Sequence, residues 1–131
     1  MSEGSSVDEL ARDLISTVRD RAIDSCDQLA EAVVRGSLGE RWRGLVDSSA
    51  AREVALELIP DVVDQMLFHL LDAIDNERLP LGWKRADSFE GLADIGHGEM
   101  AGRLMMGEGG WIDQHSAKPH FDPLADSGDA L

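Results

Sequence analysis

The chain has 131 residues, with 12 Lys and Arg against 26 Asp and Glu, and a formal charge of −14. Such a surface repels nucleic acid and anionic lipid, which sets both aside as partners, and it favours a basic or mixed-charge protein partner. A lone cysteine, Cys26, leaves no internal disulfide; with no secretory leader and no uncharged run of about 18 apolar residues, a cytoplasmic protein without a membrane span is expected.

Aromatic residues make up 5% of the chain and tyrosine is absent, a composition that leans towards helix rather than strand. The expected fold class is all-α, a helical bundle built on two long amphipathic helices. A single helical domain is expected over residues 6–117, between a disordered 1–5 and a flexible tail over 118–131.

The first long helix is expected over residues 6–35. Ser6 and Glu9 stand in capping-box spacing at its start. Val7, Leu10, Ala11, Leu14, Ile15 and Val18 then recur at helical intervals, continuing through Ile23, Cys26 and Ala30. Gly36 suits the C-terminal cap. Ser37 and Glu40 repeat the capping-box spacing, so a short helix follows over 38–46. In it Trp42 should fold onto the core while Arg41 and Arg43 face water.

The second long helix, 49–77, has apolar pairs every four residues: Val54/Ala55, Leu58/Ile59, Val62/Val63, Met66/Leu67 and Leu70/Leu71. At about 100° per residue, a repeat of four drifts by about 40° per step. The two ends of the helix therefore offer apolar surface in different directions and need different partners. This is the expected central helix, or one helix of a dimer core. Pro60 lacks an amide proton and crowds the carbonyl four residues back, so a kink or break is expected near it.

Pro80 and Gly82 mark a turn. Short helices are expected over 88–95, with Asp87 or Ser88 as N-cap, over 98–106 and over 111–116. Gly98 and Gly102 are four apart and should let a neighbouring helix approach closely. Trp111, dropped back by Gly109 and Gly110, should pack onto the 98–106 helix. Phe121 is expected to dock from the tail.

His97, Glu99, His115, His120 and Asp122 carry imidazole and carboxylate ligands that could serve a small metal-dependent enzyme. The five-residue gap between His115 and His120 spans Pro119 and does not repeat the helical i, i+4 pair, so no metal and no cofactor is assigned. The segment Gly96–Gly102 lacks the strand–turn–helix setting of a phosphate loop, and no nucleophile motif occurs, so no catalytic residue is assigned. A homo-oligomeric domain with a Met- and Trp-lined ligand pocket is a further alternative. The reading carried forward is a non-enzymatic acidic interaction protein, of the kind exemplified by immunity proteins and antitoxins. Asp61, Asp64, His69, Asp72 and Asp75 of the second long helix are its candidate partner-binding residues, and a homodimer is a further option.

Overall fold

The computed structural model describes residues 3–118. A helix α1 (Glu3–Arg12) runs directly into a π-helical segment (Asp13–Arg19) and then α2 (Asp20–Ala30). Helices α3 (Gly36–Leu45) and α4 (Ser49–Asp75) follow, then a hairpin of β1 (Gly82–Arg85) and β2 (Ser88–Gly91). Three short helices close the described chain: α5 (Leu92–Ile95), α6 (Met100–Met105) and α7 (Trp111–His115).

Helix α1 starts at Glu3, so residues 3–5 are helical rather than disordered and Ser6 and Glu9 lie inside the helix. They form no capping box. Their side-chain oxygens accept from Arg85, Ser6 Oγ at 2.6 Å and Glu9 Oε2 at 2.7 Å, and so tie the hairpin to α1. The buried series Val7, Ala11, Ile15, Arg19 and Ile23 has a spacing of four. An α-helix would carry each step about 40° around its axis; the wider π turn over 13–19 holds the series closer to one line.

The first helix ends at Ala30, short of Arg35. Ala32 and Gly36 both take left-handed conformations, at φ 63° and 92°. Gly36 therefore opens α3 instead of capping α2. The β-branched pair Val33–Val34 leaves the helix, where its side chains lose least freedom. The Val34 carbonyl accepts from Arg43 Nη1 at 2.7 Å. Gly39 is buried beneath that carbonyl, and a Cβ there would collide with it. Helix α3 has no side-chain cap, so Ser37 and Glu40 form no capping box either. Trp42 is half-buried against the cluster of Ile23, Ala30 and Ile59, between exposed Arg41 and Arg43.

Helix α4 begins at Ser48, whose Oγ accepts from the Ala51 amide at 3.1 Å. It runs from Ser49 to Asp75 without a break at Pro60. Pro60 is buried, and the helix continues through it despite the missing amide. The helix meets α2 over its first half and α6 and α5 over its second, with the π segment between. Its end is held by Asn76, whose side-chain amide donates to the Asp72 carbonyl at 2.8 Å.

The sequence places a turn and then a helix across 82–95; the structure has an antiparallel hairpin over Gly82–Gly91 and helix only over Leu92–Ile95. Trp83 is half-buried on the main core, and Arg85 lies over its ring at 5.0 Å. The hairpin escaped the sequence reading because its turn is Ala86–Asp87. Ala86 sits at φ 45°, a conformation such turns usually assign to glycine or asparagine.

Helix α6 is shorter than expected, and its two glycines do not form a packing strip. Gly98 precedes the helix in a left-handed turn at φ 68°, where an added Cβ would lie 3.6 Å from the Asp75 carbonyl. Gly102 is exposed with nothing near it. The close face of α6 is instead Met100, Ala101 and Leu104, all buried. Trp111 does pack back as expected: it is buried in the same cluster, and Arg103 lies over its ring at 5.8 Å. Phe121 and residues 119–131 lie outside the described residues.

Candidate functional site: the open face of α4

Helix α4 carries four parallel rows of residues at i, i+4 spacing, and the fold treats them differently. The row Ala55, Ile59, Val63, Leu67, Leu71 turns inward: Ile59, Leu67 and Leu71 are buried and the other two half-buried. The row Leu56, Pro60, Asp64, Phe68 is buried or half-buried as well. The remaining two rows face water. One is polar: Glu53, Glu57, Asp61, Gln65 and His69, all exposed. The other is apolar: Val54 is 57% exposed, Leu58 52%, Val62 68%, Met66 75% and Leu70 38%.

These two outer rows are neighbours, because residues three apart on a helix touch. Val54 therefore adjoins Glu57, and Leu58 adjoins Asp61. The apolar row spans about 24 Å along the axis and, at about 40° per step, turns by about 160° from Val54 to Leu70, so that only neighbours such as Val62 and Met66 share a direction. Single exposed apolar side chains are ordinary on a protein surface; a continuous row of five is not, and such surfaces mark interaction sites. The sequence shows each apolar pair but not its division. One member of each pair lies in the inward row and the other in the outer row, and only the neighbouring helices decide which is covered.

The five candidate partner-binding residues read from the sequence are separated by the fold. Asp61 and His69 belong to the open polar row, and His69 lies edge-on to Phe68 with ring centroids 5.3 Å apart. Asp72 is exposed beside Asn76, whose amide donates to its Oδ1 at 3.1 Å. Asp75 turns to the Ala101 amide, accepting at 2.8 Å, and so caps α6. Asp64 points the other way, into the protein.

Asp64 is half of a buried polar cluster that the sequence did not flag. Its carboxylate takes the Arg19 fork, Nε to Oδ1 at 2.6 Å and Nη2 to Oδ2 at 3.3 Å. Arg19 Nη1 donates to Asp20 Oδ1 at 2.7 Å, to Ser116 Oγ at 2.9 Å and to the Lys118 carbonyl at 3.2 Å. Asp20 also accepts from Ser116 Oγ and the Ala117 amide, each at 2.8 Å. Each nitrogen of the guanidinium makes at least one hydrogen bond, and through Nη1 the cluster anchors residues 116–118 to the helices. The one cue in the sequence is an arginine standing in step with Ile15 and Ile23.

Lys118 closes the outer side of this cluster, its Nζ 3.1 Å from Asp24 and 4.0 Å from Asp27. The hydrogen bond to Asp24 raises its pKa, against the opposing effect of burial, with the charges of Asp24, Asp27 and Asp20 adding to the rise. Burial pushes the Asp27 carboxyl above its ordinary range; Lys118 pulls it down, while Glu31 and Asp24 push it further up. Burial and then the Asp27 charge raise the Cys26 thiol, so it stays protonated near neutrality and is a weak nucleophile.

Three of the five metal-ligand candidates are among the described residues. His97 is exposed in a left-handed turn, Glu99 is exposed, and His115 is half-buried at the end of α7. His120 and Asp122 lie outside the described residues. Among the described residues no three His, Cys, Asp or Glu side chains are grouped to hold a metal ion. A cleft of about 150 Å³ lies between the end of α4 and the hairpin, lined by Ile74, Leu79, Leu81 and Phe89 with Glu77 and Asp94 among its walls. It is not the Met- and Trp-lined pocket weighed from the sequence: Met100 and Trp111 belong to the packed core. No helix among the described residues is long and apolar enough to cross a membrane.

Comparison of the chain with protein-family models, with curated proteins and with solved structures finds no match.

Proposed function

We propose that this protein is a non-enzymatic interaction module that uses the open face of α4 to hold a positively charged protein partner. The observation that carries this reading is the exposed row Val54, Leu58, Val62, Met66, Leu70 lying beside Glu53, Glu57 and Asp61. Apolar area supplies affinity when it is covered, and the adjoining acids select the sign of the partner and speed its capture. The formal charge of −14 extends that attraction beyond the contact itself.

The test is affinity capture from extract of the source cells, run in parallel with the native chain and with the double variant Val62→Asp/Met66→Asp. A basic protein retained by the native chain, lost with the variant and released as salt is raised is the expected outcome. Identical sets of retained proteins for the two baits would rule out the α4 face as the binding surface.

A further inference from the structure

We infer that the occupant of the α4 face is an amphipathic helix of another protein, apolar on one side and bearing Lys or Arg beside that apolar side. This rests on the interaction reading above and names the shape and chemistry of the partner. The form of the surface suits a helix. The exposed apolar side chains stand in one i, i+4 row, which is a ridge with a groove on either side. A ridge of that spacing is complementary to the i, i+4 groove of a second helix, and two such helices cross at about −50°. A crossing contact is centred on few residues. Val62 and Met66, the two most exposed members at 68% and 75%, mark its centre, with Leu58 and Leu70 to either side.

The charge of the flanks selects a cationic helix. On one flank of the ridge lies the covered inward row; on the other lies Glu53, Glu57, Asp61, Gln65, His69. That flank is acidic over its first three positions and carries no carboxylate over its last two. A docked helix therefore needs its cationic side chains along one edge, over the half of the contact nearer the start of α4. A second copy of this chain fits badly. Crossing α4 on α4 ridge to ridge would bring Glu57 and Asp61 towards the same acids of the other copy, with −14 on each molecule. Strand addition has no foothold here, since α4 offers no free sheet edge.

The experiment uses the full chain and three labelled designed helical peptides of about six turns. One has leucines in i, i+4 register with arginines on one flank, the second has glutamates in place of those arginines, and the third has the first peptide's composition with the leucine register scrambled. Fluorescence anisotropy at low and high salt gives the affinities, and sedimentation of the chain alone gives its association state.

The expected result is binding of the first peptide, at least about tenfold tighter than either of the others. Val62→Asp/Met66→Asp should weaken it by about tenfold or more, and Glu53→Gln/Glu57→Gln by about threefold at low salt and little at high salt. All four positions are exposed, and unchanged helical circular dichroism shows that the fold is intact. Equal binding of the ordered and scrambled basic peptides would overturn the helix assignment while leaving a cation-seeking surface. A native chain that dimerises, with Val62→Asp/Met66→Asp making it monomeric, would assign the ridge to a second copy and overturn the proposal in the other direction. Tight peptide binding that neither variant pair alters would overturn both the helix assignment and the reading of α4 as the interaction face.

Discussion

Helix α4 passes through two apolar clusters of unequal size. Its second half, through Leu67, Leu71 and Ile74, joins α1, α6 and α7 in a core of twelve buried residues. Its first half contributes Ile59 to a cluster with Ile23 and Ala30, three buried residues edged by half-buried Trp42, Leu56 and Val63. Arg19 and Asp64 stand between the two: Arg19 lies four residues from Ile15 of the large cluster and four from Ile23 of the small one, and Asp64 lies between Ile59 and Leu67. A buried ion pair thus divides what would otherwise be one continuous apolar seam. Among the described residues, the short elements α5, α6 and α7 close over its second half, while fewer elements cover its first half and none covers its outer apolar row.

The largest effect should come from the divider. Arg19→Met removes the cation and leaves Asp64 and Asp20 to face one another with their guanidinium partner gone. Breaking a buried pair from one side destabilises by about 3–5 kcal/mol. Urea unfolding should show that loss. The double variant Arg19→Met/Asp64→Leu removes the stranded Asp64 charge and should recover a good part of it, because an apolar pair of similar volume is often no less stable than the ions. A double variant no more stable than Arg19→Met alone would mean that Asp20 and the anchored residues 116–118, rather than Asp64, carry the dependence on Arg19.

The two clusters should also differ in how they respond to truncation. Leu71→Ala cuts into the large core, where surrounding side chains are fixed on every side, and should cost about 4 kcal/mol. Ile59→Ala opens a cavity that half-buried neighbours can move to fill, and should cost about 2 kcal/mol, near the low end for such a change. Unfolding midpoints of the two variants measured in one denaturant series would check the order. Equal losses would mean that the small cluster is packed as tightly as the large one, and the division at Arg19–Asp64 would lose its energetic meaning.

The helical periodicity of residues 7–30 and 49–75 was legible because apolar spacing and helix geometry are both local properties. So was the return of Trp111 onto α6, since the glycines before it leave the chain one short way back. What was not legible depends on contacts far apart in the chain. Ser6 and Glu9 have the spacing of a cap, and only the arrival of Arg85 gives them another use. Asp61 and Asp64 look alike in the sequence, yet one is exposed on the outer row and the other is consumed by an arginine 45 positions away. The hairpin carries its left-handed turn residue on Ala86, an alanine that no turn rule would choose. The candidate site itself was half visible: the acids of α4 and its apolar pairs could be read, but which apolar row remains uncovered is set by where α2, α5 and α6 come to rest.

The smallest of these effects separates a cap from a core contact at the well-packed end of α4. Asp75 lies at the last turn of α4, where a negative charge meets the unfavourable end of that helix's dipole, and at the first turn of α6, where it meets the favourable end. Its Oδ2 accepts from the Ala101 amide at 2.8 Å, while its Oδ1 is buried with no hydrogen-bond partner among the described residues. Asp75→Ala should therefore destabilise by about 1 kcal/mol, the usual loss when a helix gives up its capping acceptor. For a chain of this size that is a fall in melting temperature of about 4 °C. Asp75→Asn keeps an acceptor for Ala101 and removes the charge; it should fall between the native chain and Asp75→Ala, because the charge is opposed at α4 and favoured at α6. If Asp75→Ala melts with the native protein, the start of α6 is held by Met100 and Leu104 in the core and not by its cap, and the large cluster alone accounts for how that end of α4 is closed.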